Sequence, residues 1–480
     1  MSRSNAFLNR KPIAVFLAAS SLLVIASPVS AQEQPAAPPA APSDLAQHSF
    51  TPADFARFSP KTAYDMLVQL PGFTIRGADT ERGLGQASEN VLINAQRVTD
   101  KSGGAIQKLK LTDASAVERI DLVDAARLGI AGLSGLVANV IVKRDVGGKG
   151  QFSWNPEFRA HYSNPNLYRG TISFTDREGP FEYTLSVDNS VASRGAYGGN
   201  DDLIYDGSGT LFERRTGRLT SDFDQPRFKA ATKIDLPAGS TANLSAQYGP
   251  YWYDFGQFEK RRSEGTDDRF RNVEQIQRGY MLDLNADYAF DLGPGRLKLI
   301  GLRHYEHEPT TTTQITTFEN GADDEGIRFF RDARIGEFIL RGEYGWRSGR
   351  NDWQLSLERA VNTLRQQGQL FALSPAGEFV ELPFPAGSGE VAEHRYEAIV
   401  TFGRSLGPTL DLQLVGGGEI SKLERLDRDD PLRKFFRPKG SISLAWRPAA
   451  QWETSLKLSR RVGPISFYDF LAQLNLSDDR

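Results

Sequence analysis

No cysteine occurs anywhere in the 480 residues. That excludes a disulfide framework, cysteine-ligated zinc or iron–sulfur centres, a thiol nucleophile and a lipid-modified N-terminal cysteine. Charge of one sign is also missing. Against 57 Lys+Arg stand 60 Asp+Glu, a net of −3 that gives no basic footprint for nucleic acid. Hydrophobic residues reach only 39% and the mean hydropathy is negative, so no bundle of apolar membrane helices is present. What is abundant is turn chemistry. The 45 glycines and 25 prolines are spread along the chain, as in a fold with many turns. The length predicts several domains or one very large β unit.

Residues 1–31 read as an export signal. Arg3, Arg10 and Lys11 are basic, Ile13 to Ile25 is apolar, and Val29-Ser30-Ala31 supplies small residues for cleavage before Gln32. The apolar run falls short of the roughly 20 residues of a spanning helix. Removing three basic residues and no acidic one takes the net charge from −3 to −6. Residues 32–43 are rich in Ala and Pro and favour extended geometry, as a spacer or as a reach across the periplasm.

Residues 44–147 read as a small mixed α+β domain. Ala63, Met66, Leu67 and Leu70 repeat at helical spacing, with Ser59 and Pro60 as the expected start and Pro71-Gly72 as the stop. Phe73 and Ile75 alternate with polar neighbours as a short strand. Further strands are expected over Asn90–Val98, Val117–Val123 and Asn139–Val142, the last after a turn at Gly129, Gly132 and Gly135.

Beyond Gly150 the pattern becomes strictly period-two. Phe181, Tyr183, Leu185 and Val187 alternate with Glu182, Thr184, Ser186 and Asp188. The same holds for Ala242 to Tyr248, Leu282 to Phe290, Phe338 to Tyr344, Tyr396 to Phe402 and Trp452 to Leu458. Segments of about ten residues match tilted transmembrane strands. Short turns at 176–180, 237–240, 292–295, 347–352, 403–408 and 447–450 alternate with long polar stretches at 189–227, 249–278 and 306–335, which are expected to be extracellular loops. Trp346, Trp353, Trp446 and Trp452 flank the short turns, as in an aromatic girdle or in ordinary hairpin packing. Parity directs Ile339, Arg341 and Glu343 to the lumen. About thirteen strands fit between Phe152 and Arg460, an odd number for a closed bacterial barrel.

The succession of Pro71-Gly72-Phe73, Arg82-Gly83, Asn90–Val98 (NVLINAQRV), Val117–Val123 (VERIDLV) and Gly132–Arg144 (GLSGLVANVIVKR) resembles the plug domain of TonB-dependent outer-membrane receptors. The family has Gly where Ala95 stands. The resemblance implies a mainly β protein, with the N-terminal α+β plug (44–147) inside an antiparallel transmembrane β-barrel (148–480) of about 22 strands, wide enough to require a plug. Thirteen strands would then fall roughly nine short, as in a C-terminally truncated receptor. The resemblance further implies import of a scarce nutrient, of siderophore, cobalamin or oligosaccharide type, from the bacterial cell exterior with energy from TonB. It implies neither an enzyme nor a cofactor. Its partners are TonB, outer-membrane lipid and a small-molecule ligand, with no nucleic acid. Ser49, Phe50 and Thr51 are best placed to contact TonB by strand addition.

For ligand binding the expectation falls on Arg76, Arg82 and Gln86 of the plug loops, with the loop at 101–104 beside them, and on Tyr251, Trp252 and Tyr253. The dense aromatics of 251–258 fit either stacking on a flat or sugar-like ligand or an outer girdle. His304 and His307 lie three apart at a strand end, where they face opposite ways, and carry no expectation of metal. A passive porin-like channel and an exported β-rich binding protein are the competing readings. The separate N-terminal domain argues against the first of these.

Overall fold

The computed structural model describes residues 48–77, 89–98, 104–125, 128, 130, 133, 135–143, 147–158, 165–263, 267–428, 433–449, 452–460, 462, 463 and 467. The export signal and the Ala/Pro segment lie outside the described residues. So do Arg82, Gln86, residues 101–103, Gly129 and Gly132.

The N-terminal domain runs β1 (His48–Phe50), a 3-10 turn (Pro52–Phe58), α1 (Ala63–Val68), β2 (Val91–Ile93), α2 (Gly104–Lys110), a 3-10 turn (Ala114–Ala116), β3 (Val117–Asp124) and β4 (Leu136–Val142). Its sheet has the order β1-β3-β4-β2, with β2 parallel to β4 and the other pairs antiparallel. Leu67, Leu109, Val117 and Ile120 are fully buried in one core with Phe55 and Met66. Each such side chain contributes roughly 1.5–3 kcal/mol by leaving water.

Two local expectations are corrected here. The helix starts three residues later than Pro60 because Thr62 is the cap. Its hydroxyl accepts from the Asp65 N–H at 3.1 Å, and the Asp65 carboxylate accepts from the Thr62 N–H at 2.9 Å. Ser59 instead ends the preceding turn at φ 49°. Phe73 and Ile75 pack on the core, but their segment is not a strand. The Asn90 amide takes the place of a ladder partner, donating to the Thr74 carbonyl at 3.0 Å and accepting from the Arg76 N–H at 2.8 Å. Helix α2 was not expected from the sequence.

The remaining described residues form β5 (Lys149–Trp154), β6 (Gly170–Glu178), β7 (Phe181–Asp188), β8 (Ser193–Tyr205), β9 (Leu211–Asp224), β10 (Arg227–Asp235), β11 (Thr241–Ser263), β12 (Arg269–Leu292), β13 (Gly295–Phe318), β14 (Glu325–Ser348), β15 (Asn351–Leu373), β16 (Phe379–Leu382), β17 (Gly389–Ser405), β18 (Leu410–Arg425), β19 (Arg433–Ala449) and β20 (Trp452–Arg460). All pair antiparallel in one 16-stranded sheet. Thirteen of them make an unbroken path from β5 to β20, and β8, β9 and β16 lie off it. The six short turns join hairpins as expected.

The long polar stretches are not loops, which corrects the sequence reading. Strands β11 to β14 run for 23 or 24 residues and carry their pairing through 249–278 and 306–335. The stretch 189–227 holds β8 and β9, and β9 replaces the short β10 beside the upper half of β11. Hydrogen-bonded pairing continues where the apolar alternation stops.

The sheet is inside-out relative to a water-soluble fold. On β14, Phe338 and Leu340 are 40% and 50% exposed, whereas Ile339 and Arg341 are 0% and 5% exposed. Leu244, Leu284, Leu299, Leu357, Ile442 and Leu456 share the exposed face, while Asp283, Glu358, Glu393, Gln413 and Ser421 are buried on the other. A continuous exposed apolar face over a polar interior is what lipid demands of a barrel wall and what water penalises. Trp346 and Trp353 are cross-strand partners with rings 6.1 Å apart at the turn end, and Trp353 meets Phe402 at 4.8 Å. All three are on the exposed face, as an interfacial girdle requires.

Candidate functional site

The N-terminal domain is fastened to the polar face of the sheet. Arg97, just past β2, donates to the Glu343 carboxylate at 2.6 Å, with side chains only 9% and 10% exposed. Glu343 also takes Arg341 at 2.8 Å, Arg341 reaches Glu358 at 3.3 Å, and Glu358 takes Arg395 at 2.7 Å. Lys298 donates to the Arg97 carbonyl at 3.3 Å and pairs with Asp287 at 3.4 Å. On the other side of the seam, Gln107 of α2 donates to Asp188 at 2.8 Å, and Lys108 lies 3.6 Å from Glu182. Gln413 donates to the Ala125 and Ile130 carbonyls, each at 3.4 Å. Parity put Arg341 and Glu343 on this face, and the structure agrees. That Arg97 would join them had no signal in a single sequence.

Titration in the domain follows local hydrogen bonds. The N–H and hydroxyl of Thr51 hold the Asp54 carboxyl below its ordinary range. Burial pushes the Asp113 carboxyl up. The Ser115 hydroxyl and N–H and the Lys149 ammonium outweigh that and leave it below its ordinary value.

Farther along the strands the polar face carries two arginine-rich groups. Glu213 accepts from Arg215 at 2.5 Å and from Ser263 at 2.8 Å, and Arg269 also pairs with it. Glu259 takes Arg261 at 2.7 Å, with Arg271 at 3.8 Å. Four guanidinium groups therefore surround two carboxylates.

The sequence-predicted ligand residues divide. Tyr251 and Tyr253 turn to the polar face of β11, where Tyr253 packs edge-on to Phe223 at 6.4 Å and stacks with Phe255 at 6.5 Å. Trp252 is on the opposite face, 42% exposed, with Phe258. The single cluster expected from sequence is thus two sets, one facing in and one facing out. Arg76 is exposed at the end of the segment that Asn90 holds.

Ser49, Phe50 and Thr51 are built into the domain. β1 pairs with β3 through Phe50↔Ile120, Ser49 donates to Asp121 at 2.7 Å, and Phe50 packs against the core. β1 is an edge of its sheet. His304 and His307 lie within β13, not in a loop. His304 turns inward to Asp283 and His307 outward to Asp332, each at 2.6 Å.

No family model matches the sequence, and no curated protein matches it. Solved structures do. The siderophore receptor PiuA of Acinetobacter baumannii is 11% identical over 84% of this chain and 62% of its own, with a TM-score of 0.35. FpvA of P. aeruginosa, bound to a heterologous pyoverdine, is 11% identical over 85% and 56%, with a TM-score of 0.37. The ferric yersiniabactin uptake receptor FyuA of Yersinia pestis is 10% identical over 86% and 78%, with a TM-score of 0.26. The protein thus spans less than two thirds of the length of the first two.

Proposed function

We propose that this protein is a TonB-dependent outer-membrane receptor. In this reading residues 44–147 are the plug and residues 148–480 the barrel wall. The protein binds a scarce nutrient outside and imports it with energy relayed by TonB. One observation carries the reading: a sheet with an apolar exposed face and a charged buried face, to which a separate N-terminal domain is hydrogen-bonded. A passive channel has no use for a domain tied across its polar face, and a soluble sheet would not expose Leu340, Leu357 and Leu456 together.

The ligand site in this reading lies between the plug loops (Arg76, Arg82, Gln86) and the inward aromatics Tyr251 and Tyr253. The arginines clustered around Glu213 and Glu259 favour a ligand with negative charge, among siderophore, cobalamin and oligosaccharide types. TonB is reached through the N-terminal segment, where β1 has an open edge. The test is uptake by cells expressing the protein, across a panel of iron complexes, cobalamin and oligosaccharides, with TonB present and deleted. Uptake of one class that vanishes without TonB is expected. Uptake that survives the deletion would mean a passive channel and overturn the proposal.

A further inference from the structure

On the exposed face of the sheet, three adjacent strands place basic residues in one row. His307 of β13 is opposite Arg334 of β14, and Arg334 is opposite Arg365 of β15. All three point outward, since the alternate residues Leu302, Ala333 and Leu364 are buried beneath them. Farther down β13, Arg303 also faces out. Its guanidinium does not lie over its own cross-strand partner Phe338. It extends across Gly336, where an added Cβ would come within 3.5 Å of Nη2. Gly336 leaves a shelf between Tyr305 and Thr363 that lets this head group lie directly below Arg334.

The carboxylates near the row are few. Asp332 takes His307 at 2.6 Å and Arg334 at 3.1 Å, and Glu390 is the cross-strand partner of Arg365. Among the described residues no ion pair engages Arg303 or Arg365. Below the row the exposed face carries Leu299, Phe338, Leu340 and Leu357, with one arginine, Arg359, whose guanidinium lies 5.9 Å from the Tyr396 ring centre. The tyrosines Tyr248, Tyr280 and Tyr305 cross it at ring spacings of 5.9 and 6.0 Å. Above the row, Thr311, Gln367 and Gln369 are polar. The row therefore marks the depth at which apolar surface gives way to polar surface, the headgroup level of a bilayer. An arginine facing lipid costs little there but roughly 2–4 kcal/mol at the midplane, which accounts for Arg303 reaching upward across Gly336.

We propose that Arg303, Arg334 and Arg365, shelved on Gly336, form a binding site for the phosphate of a phosphorylated lipid headgroup in the outer leaflet. Guanidinium forks match phosphate oxygens bidentately, and three of them on neighbouring strands suit a phosphomonoester better than a zwitterion. The inference rests on the membrane-barrel reading above.

The test uses the full-length protein in detergent, offered equal amounts of phosphatidic acid and a galactosyl diacylglycerol with the same acyl groups. Lipid retention is read by native mass spectrometry. Phosphatidic acid should be retained roughly tenfold more. The triple variant R303Q/R334Q/R365Q should lose that preference and the single variant R365Q should lose part of it. R278Q, whose arginine is paired with Asp254 on the same face, should keep it. Inorganic phosphate should not displace the lipid. Equal retention of the two lipids by the wild-type protein, an unchanged triple variant, or displacement by free phosphate would overturn the site. Heat-modifiable mobility and insertion into vesicles are recorded on the same samples. If insertion fails, the membrane reading falls and the site with it. If insertion succeeds without lipid preference, only the site falls.

Discussion

Asn94 and Ala95 both adopt left-handed backbone, at φ 51° and 59°, between Ile93 and Gln96, which exchange hydrogen bonds at 3.0 Å. Two consecutive residues of positive φ are the mark of a two-residue hairpin turn whose second position favours glycine. Ala95 occupies that position with a Cβ. The turn persists because two asparagines hold it. The Ala95 N–H donates to Asn139 at 2.7 Å, and the Asn94 side chain accepts from the Val142 N–H at 2.9 Å. Replacing Ala95 by Gly should relieve left-handed strain while giving back part of the gain as unfolded-state entropy. The expected stabilisation of the N-terminal domain is about 0.5–1 kcal/mol. Denaturant unfolding of the full-length protein, followed at the domain's own transition, checks this. A midpoint unchanged or lowered in A95G would show that the turn is not strained. This residue was legible: the departure from the family pattern marked the position, though not the asparagines that tolerate it.

At the scale of elements, the halves of the strands with one apolar face were readable and their polar halves were not. The reason is physical. Lipid on one face and a polar interior on the other force alternation, and alternation is the signal of a strand. In the polar halves Thr310 to Thr313 pair with Arg328, Phe329, Phe330 and Arg331, whose two adjacent phenylalanines face opposite ways and make no alternating stripe. Only β-branched composition remains as a hint. Helix α2, seven residues long with no side-chain cap to announce it, was hidden for a related reason: its N-terminal N–H groups at Ala105 and Ile106 are taken by Glu89, fifteen residues before Gly104. Paired strand and open loop differ in protease access. Trypsin should cut at Arg278 and Arg328, which sit inside paired strands, at least about tenfold more slowly than at Arg350 in a two-residue turn. Peptide mapping of briefly digested, detergent-solubilised protein measures it. Equal rates would return those stretches to the status of loops.

At the scale of the whole molecule, the domain and the sheet meet through buried charge, and buried charge is costly to leave unmatched. Glu343 pairs with both Arg97 and Arg341, Arg341 also reaches Glu358, and Lys298 is close by. Glu343→Gln would leave those cations facing one another in a poorly hydrated seam, a loss of roughly 3–5 kcal/mol of docking free energy. Arg97→Gln combined with Glu343→Gln removes the unmatched charge and should recover a good part of the loss, because the neutral pair needs no compensation. The absence of cysteine makes the measurement clean: a single cysteine introduced at Gln107, on the far side of the seam, is the only thiol in the protein. Maleimide should label Q107C in the Glu343→Gln background many times faster than in the parent, and the Arg97→Gln/Glu343→Gln background should fall between them. Tightly docked domains expose such a thiol only by transient opening, so the labelling rate reports the equilibrium between docked and released states. If Glu343→Gln labels at the parental rate, the Arg97–Glu343 pair does not hold the domain, and other seam contacts, such as those of Lys108 and Gln413, must carry it.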